Sequence, residues 1–128
     1  MTSLKHTALV CASEKNADRF YKQLLGLNKE KPKILPQSLS MAIFNVAAEL
    51  KIINYTGEGA HFEIFIYTDK GCRTKQIEHT CIEVNDRKAF FEACREHELD
   101  VNRVQKGEKT LLFVNDFDGN LFEVKNRQ

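Results

Sequence analysis

Apolar positions along this chain alternate as a strand does, shift to a three-and-four spacing, and return to alternation, and they do so twice. Leu4 to Cys11 alternates and ends at Ala12-Ser13. Ser13, Asn16 and Asp18 offer an N-cap region, and Ala17, Phe20, Tyr21, Leu24 and Leu25 make one helical face that Gly26 closes. A charged strand over Leu27 to Ile34 follows. Leu35 to Val46 steps by three or four, which predicts a short helix at about Gln37 to Phe44, with a strand over Ser40 to Val46 as the alternative. Leu50 to Thr56 and His61 to Thr68 read as a hairpin around Gly57-Glu58-Gly59-Ala60.

Asp69-Lys70-Gly71-Cys72-Arg73-Thr74 is a polar link, after which the pattern begins again. Gln76 to Val84 alternates. A helix is expected from Asp86, its cap, to about His97, with Ala89, Phe90, Ala93 and Cys94 on the inner face. Strands near Val101 to Gln105 and Lys109 to Val114 come next. Asn115-Asp116-Phe117-Asp118-Gly119-Asn120 is a strong turn signal, and Leu121 to Lys125 is the last strand. Both halves therefore read strand-helix-strand-strand-strand, and only the first carries an inserted helix.

Parity gives the repeat a chemical meaning, because side chains alternate across a strand. His6, Ala8 and Val10 share one face of the first strand, and Ile77, His79, Cys81 and Glu83 share one face of its counterpart. On the closing strands His61, Glu63, Phe65 and Tyr67 fall together, as do Leu121, Glu123 and Lys125. In each strand the other face is apolar enough to pack under a helix. His6, Glu63, His79 and Glu123 thus stand at matched positions on the faces away from the helices. Two imidazoles and two carboxylates form a ligand set for a divalent metal. Singly, each is more simply a solvated strand residue; the recurrence is what gives them weight. His61, at a strand start, suits a supporting role, and His97 a surface position. Glu83 and Lys125 face the same way as the candidate ligands, where an unpaired charge would be costly. They pair with each other, face the mouth or bind substrate. Val10, Phe65, Tyr67 and Leu121 can line an apolar substrate wall or pack in the core.

Composition narrows the class. The chain has 128 residues, 42% hydrophobic and 29% charged, which fits one globular domain over residues 1–128, with one module at about 3–68 and a second at about 75–127. A formal net charge of +1 gives no reason to expect nucleic acid or an anionic membrane as partner. No apolar run approaches the ~20 residues of a membrane-spanning helix, and the first strand starts too early for a signal peptide. Cys11, Cys72, Cys81 and Cys94 lie far apart, which argues against a zinc knot and for buried, reduced thiols in the cytoplasm.

Four segments carry a family resemblance: His6-Thr7-Ala8-Leu9-Val10, Phe20-Tyr21-Lys22-Gln23-Leu24-Leu25-Gly26, the strand from His79, and Asp116-Phe117-Asp118-Gly119-Asn120-Leu121-Phe122-Glu123. In these the chain resembles the vicinal oxygen chelate superfamily of glyoxalases, bleomycin-resistance proteins and extradiol dioxygenases, over nearly its whole length. Phe117 stands where that family usually has proline. The resemblance implies an α+β fold of two βαβββ modules forming a U-shaped mixed sheet around a metal site, with His6, Glu63, His79 and Glu123 as ligands. It also implies a metal-dependent lyase or isomerase of the glyoxalase type, with Glu123 or Glu63 as base. The substrate would be a small molecule that chelates nickel, zinc, cobalt or manganese through adjacent oxygens, iron being less favoured. A homodimer is expected. Val10 and Tyr67 replace the Arg and Asn that hold glutathione in bacterial glyoxalase I, implying a less anionic substrate. The rival readings are a non-enzymatic antibiotic-binding protein and an iron-dependent dioxygenase.

Overall fold

The computed structural model describes residues 1–68 and 77–128. The expected link and Cys72 lie outside them. The chain divides into two compact units, Met1–Lys70 and Gly71–Gln128.

The first unit contains β1 (Thr7–Cys11), α1 (Glu14–Ala17) continuing as a π-helical stretch (Asp18–Leu24), β2 (Asn28–Lys29), β3 (Lys33–Leu35), α2 (Gln37–Phe44), β4 (Leu50–Gly57) and β5 (Ala60–Ile66). Its sheet runs β1-β5-β4-β2, with β3 also pairing with β4. β1 is parallel to β5, while β4 is antiparallel to β5, β2 and β3. The second unit contains β6 (Thr80–Val84), α3 (Arg87–Glu96), β7 (Val101–Lys106), β8 (Lys109–Asn115) and β9 (Leu121–Asn126), in the order β6-β9-β8-β7. β6 is again parallel to the last strand, β9. Each unit thus closes its first strand on its last, as the repeat requires. Among the described residues no helix is long and apolar enough to cross a membrane.

Local chemistry sets the boundaries. Ser13 Oγ accepts from Asn16 N–H at 3.1 Å and Asp86 Oδ1 from Ala89 N–H at 3.0 Å, so both expected caps form. Gly26, at φ +71°, ends the first helix in a conformation that side chains disfavour. α2 occupies the expected span and the strand alternative there is not adopted. The strand expected over Leu27 to Ile34 is instead two short pieces, β2 and β3. Pro32 lies between them, and its ring nitrogen cannot donate to a ladder. β1 and β6 both begin later than the alternation suggests, at Thr7 and Thr80. Leu4 and Ile77 are almost wholly exposed, so nothing packs to hold those residues in a sheet. Cys11 and Cys94 are buried as expected, but Cys81 is exposed.

The core of the first unit is built from Ala17, Phe20 and Tyr21 with Ile53, Tyr55, Phe62 and Ile64. Tyr21 packs with its ring centre 5.5 Å from Tyr55 and 5.4 Å from Phe62. The second unit buries Phe90, Phe91 and Cys94 of α3 together with Leu112, Val114, Phe122 and Val124. Polar groups tie the first helix to its sheet. Lys29 Nζ reaches Glu14 and, at 3.0 Å, Asp18 Oδ2; Lys51 Nζ lies 2.6 Å from Glu14 Oε1. The buried Tyr55 hydroxyl donates to Asp18 Oδ1 at 2.7 Å. Burial, and then the Asp18 carboxylate, push the Tyr55 phenol well above its ordinary range.

Tyr55→Phe removes a hydrogen bond to a charged acceptor and is expected to cost about 1.5–3 kcal/mol of stability, read from urea unfolding at pH 7. Lys29 and Lys51, by hydrogen bonding, hold the Glu14 carboxyl below its ordinary value of 4.5. A depressed folded value means that this contribution is complete above the unfolded carboxyl pKa and lost as pH falls through the folded one. The urea midpoint should therefore decline on acidification below pH 4.5, and Glu14→Gln should flatten part of that decline.

Candidate functional site

The parallel pairings place the candidate ligands. In the first unit Ala8 is opposite Glu63, and His6 sits one residue before β1. In the second Cys81 is opposite Glu123, and His79 sits one residue before β6. Each glutamate is flanked by two core residues, Phe62 and Ile64 or Phe122 and Val124, so alternation turns its carboxylate to the opposite face. His6 Nε2 then lies 3.9 Å from Glu63 Oε2, and His79 Nε2 lies 3.7 Å from Glu123 Oε2. The same atoms meet at nearly the same distance in both halves. Both glutamates are partly shielded and both imidazoles half-exposed, with side-chain exposures of 25% and 18% against 43% and 39%.

These separations are too long for a hydrogen bond and shorter than two metal–ligand bonds of about 2.0–2.2 Å laid end to end. The members of each pair are therefore near enough to share a divalent ion after a small side-chain adjustment. In the second pair a backbone contact orients the imidazole. His79 Nδ1 lies 2.8 Å from the Ile77 carbonyl oxygen, which can only accept, so Nδ1 carries the hydrogen. In the neutral ring the Nε2 lone pair then faces the carboxylate, and two electron-rich atoms oppose each other across 3.7 Å. Within either unit, the described residues bring together no group of three or more His, Cys, Asp or Glu side chains fit to hold a metal.

The surroundings of the two pairs differ. The His61 ring lies 5.6 Å from that of His6, and His61 Nε2 donates to Asn54 Oδ1 at 2.7 Å. Asn54 faces Glu63 across β4 and β5, whereas Phe113 faces Glu123 across β8 and β9, and His79 meets the Phe113 ring edge-on at 6.0 Å. The first pair therefore has an amide and a second imidazole beside it, the second an aromatic wall. Neither Asn54 nor Phe113 stands out in the sequence, although aligning the two halves one strand further sets them opposite the two glutamates.

The proposed substrate residues divide by burial. Val10 is exposed on the face it shares with His6. Phe65 is buried and meets Phe44 of α2 edge-on at 5.3 Å. Tyr67 and Leu121 are half-buried and Glu83 is exposed. Lys125, opposite Glu83 in register, places its ammonium 4.0 Å from Glu123 Oε1. Cys81 shares a rung with Glu123. Partial removal from water, and then the Glu123 charge, raise its thiol above the ordinary range.

No family model matches the sequence, and no curated protein does. Solved structures do match. A glyoxalase family protein from Bacillus cereus superimposes with a TM-score of 0.76 at 16% identity, over 98% of this chain and 94% of its own. The fosfomycin resistance protein FosX from Listeria monocytogenes, in a mutant solved with Mn(II) and 1S,2S-dihydroxypropylphosphonic acid, gives 0.73 at 12% identity, over 98% and 92%. The glyoxalase I of Leishmania major gives 0.64 at 20% identity, over 98% and 87%. The chain has the vicinal oxygen chelate fold. At such identities the likeness fixes the fold and leaves the chemistry to the residues.

Within this vicinal oxygen chelate fold Cys81 serves as a local reporter. Alkylation of Cys81, followed on its own peptide by mass spectrometry, should show a pH midpoint above the ordinary thiol value of 9.0. Glu123→Gln should lower that midpoint and speed labelling at pH 8.

Proposed function

We propose that the protein is a metal-dependent lyase or isomerase of the glyoxalase type, acting on a small substrate that presents two vicinal oxygens to a divalent metal. His6, Glu63, His79 and Glu123 are the ligands in this reading. The observation that carries it is the repeated imidazole–carboxylate pair, set at the same register of two separate sheets. The fold likeness to a glyoxalase I and to a FosX solved with Mn(II) and a vicinal diol supports a divalent metal and an oxygen-chelating ligand. The reading takes residues 1–128 as one glyoxalase-like domain that works as a cytoplasmic homodimer, with Cys11, Cys81 and Cys94 as free thiols.

Nickel, zinc, cobalt or manganese would supply Lewis acidity to the substrate oxygens and so acidify the neighbouring C–H. The protein does the rest. Glu123 or Glu63 takes the proton and returns it, Glu123 being favoured by analogy with the glyoxalases. The hydrogen bond from His79 to the Ile77 carbonyl holds the imidazole in one tautomer. Val10, Phe65, Tyr67 and Leu121 offer apolar surface to the substrate carbon skeleton, and Glu83 sits at the rim.

Metal analysis of protein purified without chelator tests the reading. About one equivalent of nickel, zinc, cobalt or manganese per chain is expected, and His79→Ala or Glu63→Ala should each weaken metal binding at least tenfold. Removing the metal should lower the melting temperature and restoring it should raise it again. Metal-free protein that binds antibiotics would point to a non-enzymatic binder. Iron with oxygen uptake would point to a dioxygenase.

A further inference from the structure

The two units differ in one backbone feature that the repeat does not predict. In the first, β4 and β5 stay paired over seven residue pairs, from Gly57 with Ala60 to Lys51 with Ile66. The equivalent ladder of the second unit, β8 with β9, holds for three pairs and stops at Phe113 with Glu123. Continued in register, it would set Leu112 against Val124, Leu111 against Lys125 and Thr110 against Asn126. Arg87, the first residue of α3, occupies that last rung instead. Its backbone N–H donates to Asn126 Oδ1 at 2.7 Å and its guanidinium to the Thr110 carbonyl at 3.3 Å. Arg87 thus bridges the Asn126 side chain and the Thr110 carbonyl beyond the end of the ladder.

The parted strands leave a cavity of 970 Å³ that reaches Glu123. Its charged lining is Arg87, Lys106, Lys109 and Lys125 against Glu108 and Glu123. Four cations and two carboxylates meet here in a chain whose formal net charge is only +1. Lys106 and Lys109 form the last rung of the β7–β8 ladder, so their ammonium groups are brought to one rim by the hairpin. Like charges held together in a cavity repel, and an anion with several acceptor oxygens relieves that repulsion.

We propose that this cleft binds a small dianionic oxyanion of the phosphate type, carried by the substrate as a group remote from its metal-chelating oxygens. Lys106, Lys109 and Lys125 hold the charge, and Arg87 lines the cleft at the start of α3. The proposal rests on the reading of Glu123 as a metal ligand only for its link to the substrate; the anion site itself needs no metal. It also gives the substrate an anionic end held by the β7–β8 hairpin, in place of contacts from the positions of Val10 and Tyr67.

The test is a calorimetric titration of the full chain, stripped of metal, with inorganic phosphate at constant ionic strength and with acetate as the monoanionic control. Saturable phosphate binding is expected, at least tenfold tighter than acetate, and Lys106→Gln/Lys109→Gln should weaken it about tenfold or more. Lys15→Gln/Lys22→Gln, in the other unit, should leave it unchanged. Metal occupancy, measured in parallel, should be unaffected by the Lys106/Lys109 replacement, so failure of the metal reading and failure of the anion site register in different assays. Absence of saturable binding, acetate bound as tightly as phosphate, or equal weakening by both lysine pairs would each overturn the proposal.

Discussion

The parallel pairing of the first strand of each unit with its last is the constraint on which the rest depends. A parallel ladder needs a long crossover, and the helices and strands between the two partners provide it. Once β1 lies on β5 with Ala8 opposite Glu63, the residue two before Ala8 is carried to within 4 Å of that glutamate. The same register in β6 and β9 carries His79 to Glu123. Apolar residues on the other face fix the register, because a slip of one residue would expose Phe62 and Ile64 or Phe122 and Val124.

That dependence explains how much of the site is legible in the chain. Parity within a strand is a property of sequence alone, so alternation by itself assigns His6, Glu63, His79 and Glu123 to their faces. The turn leading into the last strand is legible too. Asp116 is buried and accepts from the N–H groups of Asp118 and Asn120 and from the Asn120 amide, a closed loop of short-range bonds that holds the turn without a proline. Helix α2 is legible only in part. The spacing of Leu39, Ala42, Ile43 and Val46 identifies a helix, yet spacing does not say which side is covered. Leu39, Met41, Ile43 and Phe44 are about half-exposed, while Ser40 is fully buried. The period is set by local geometry and the covered face by whatever packs against it, and only the first is written in ten residues.

The parting of β8 and β9 is not legible, for a different reason. Lys109 to Val114 alternates as well as Leu50 to Thr56 does, and nothing in either strand announces that one ladder is shorter. The residue found at the end of the shorter ladder comes from another element. Arg87 looks like an ordinary first-turn residue following its Asp86 cap, and its two bonds reach 23 and 39 positions along the chain. A long-range bridge of this kind leaves no periodic trace. The same holds for Asn54 and Phe113, whose relation to the glutamates comes from antiparallel neighbours and not from the strands that carry the motif.

On the proposed reading, a repeat that keeps its imidazole–carboxylate geometry and loses its symmetry elsewhere separates what a metal requires from what a substrate requires. A cation is indifferent to which unit supplies an imidazole or a carboxylate, so the pairs can remain alike. A substrate with two different ends is not indifferent. The first unit surrounds its pair with Asn54 and His61 on a fully paired sheet, and the second backs its pair with Phe113 and opens a basic cleft beyond it. Ending that ladder early costs backbone hydrogen bonds, and Arg87 supplies one substitute donor, to the Thr110 carbonyl, while its N–H is taken by the Asn126 side chain. Asymmetry obtained at a cost in one module, while its duplicate retains the full ladder, is where selection for a particular ligand shape would register.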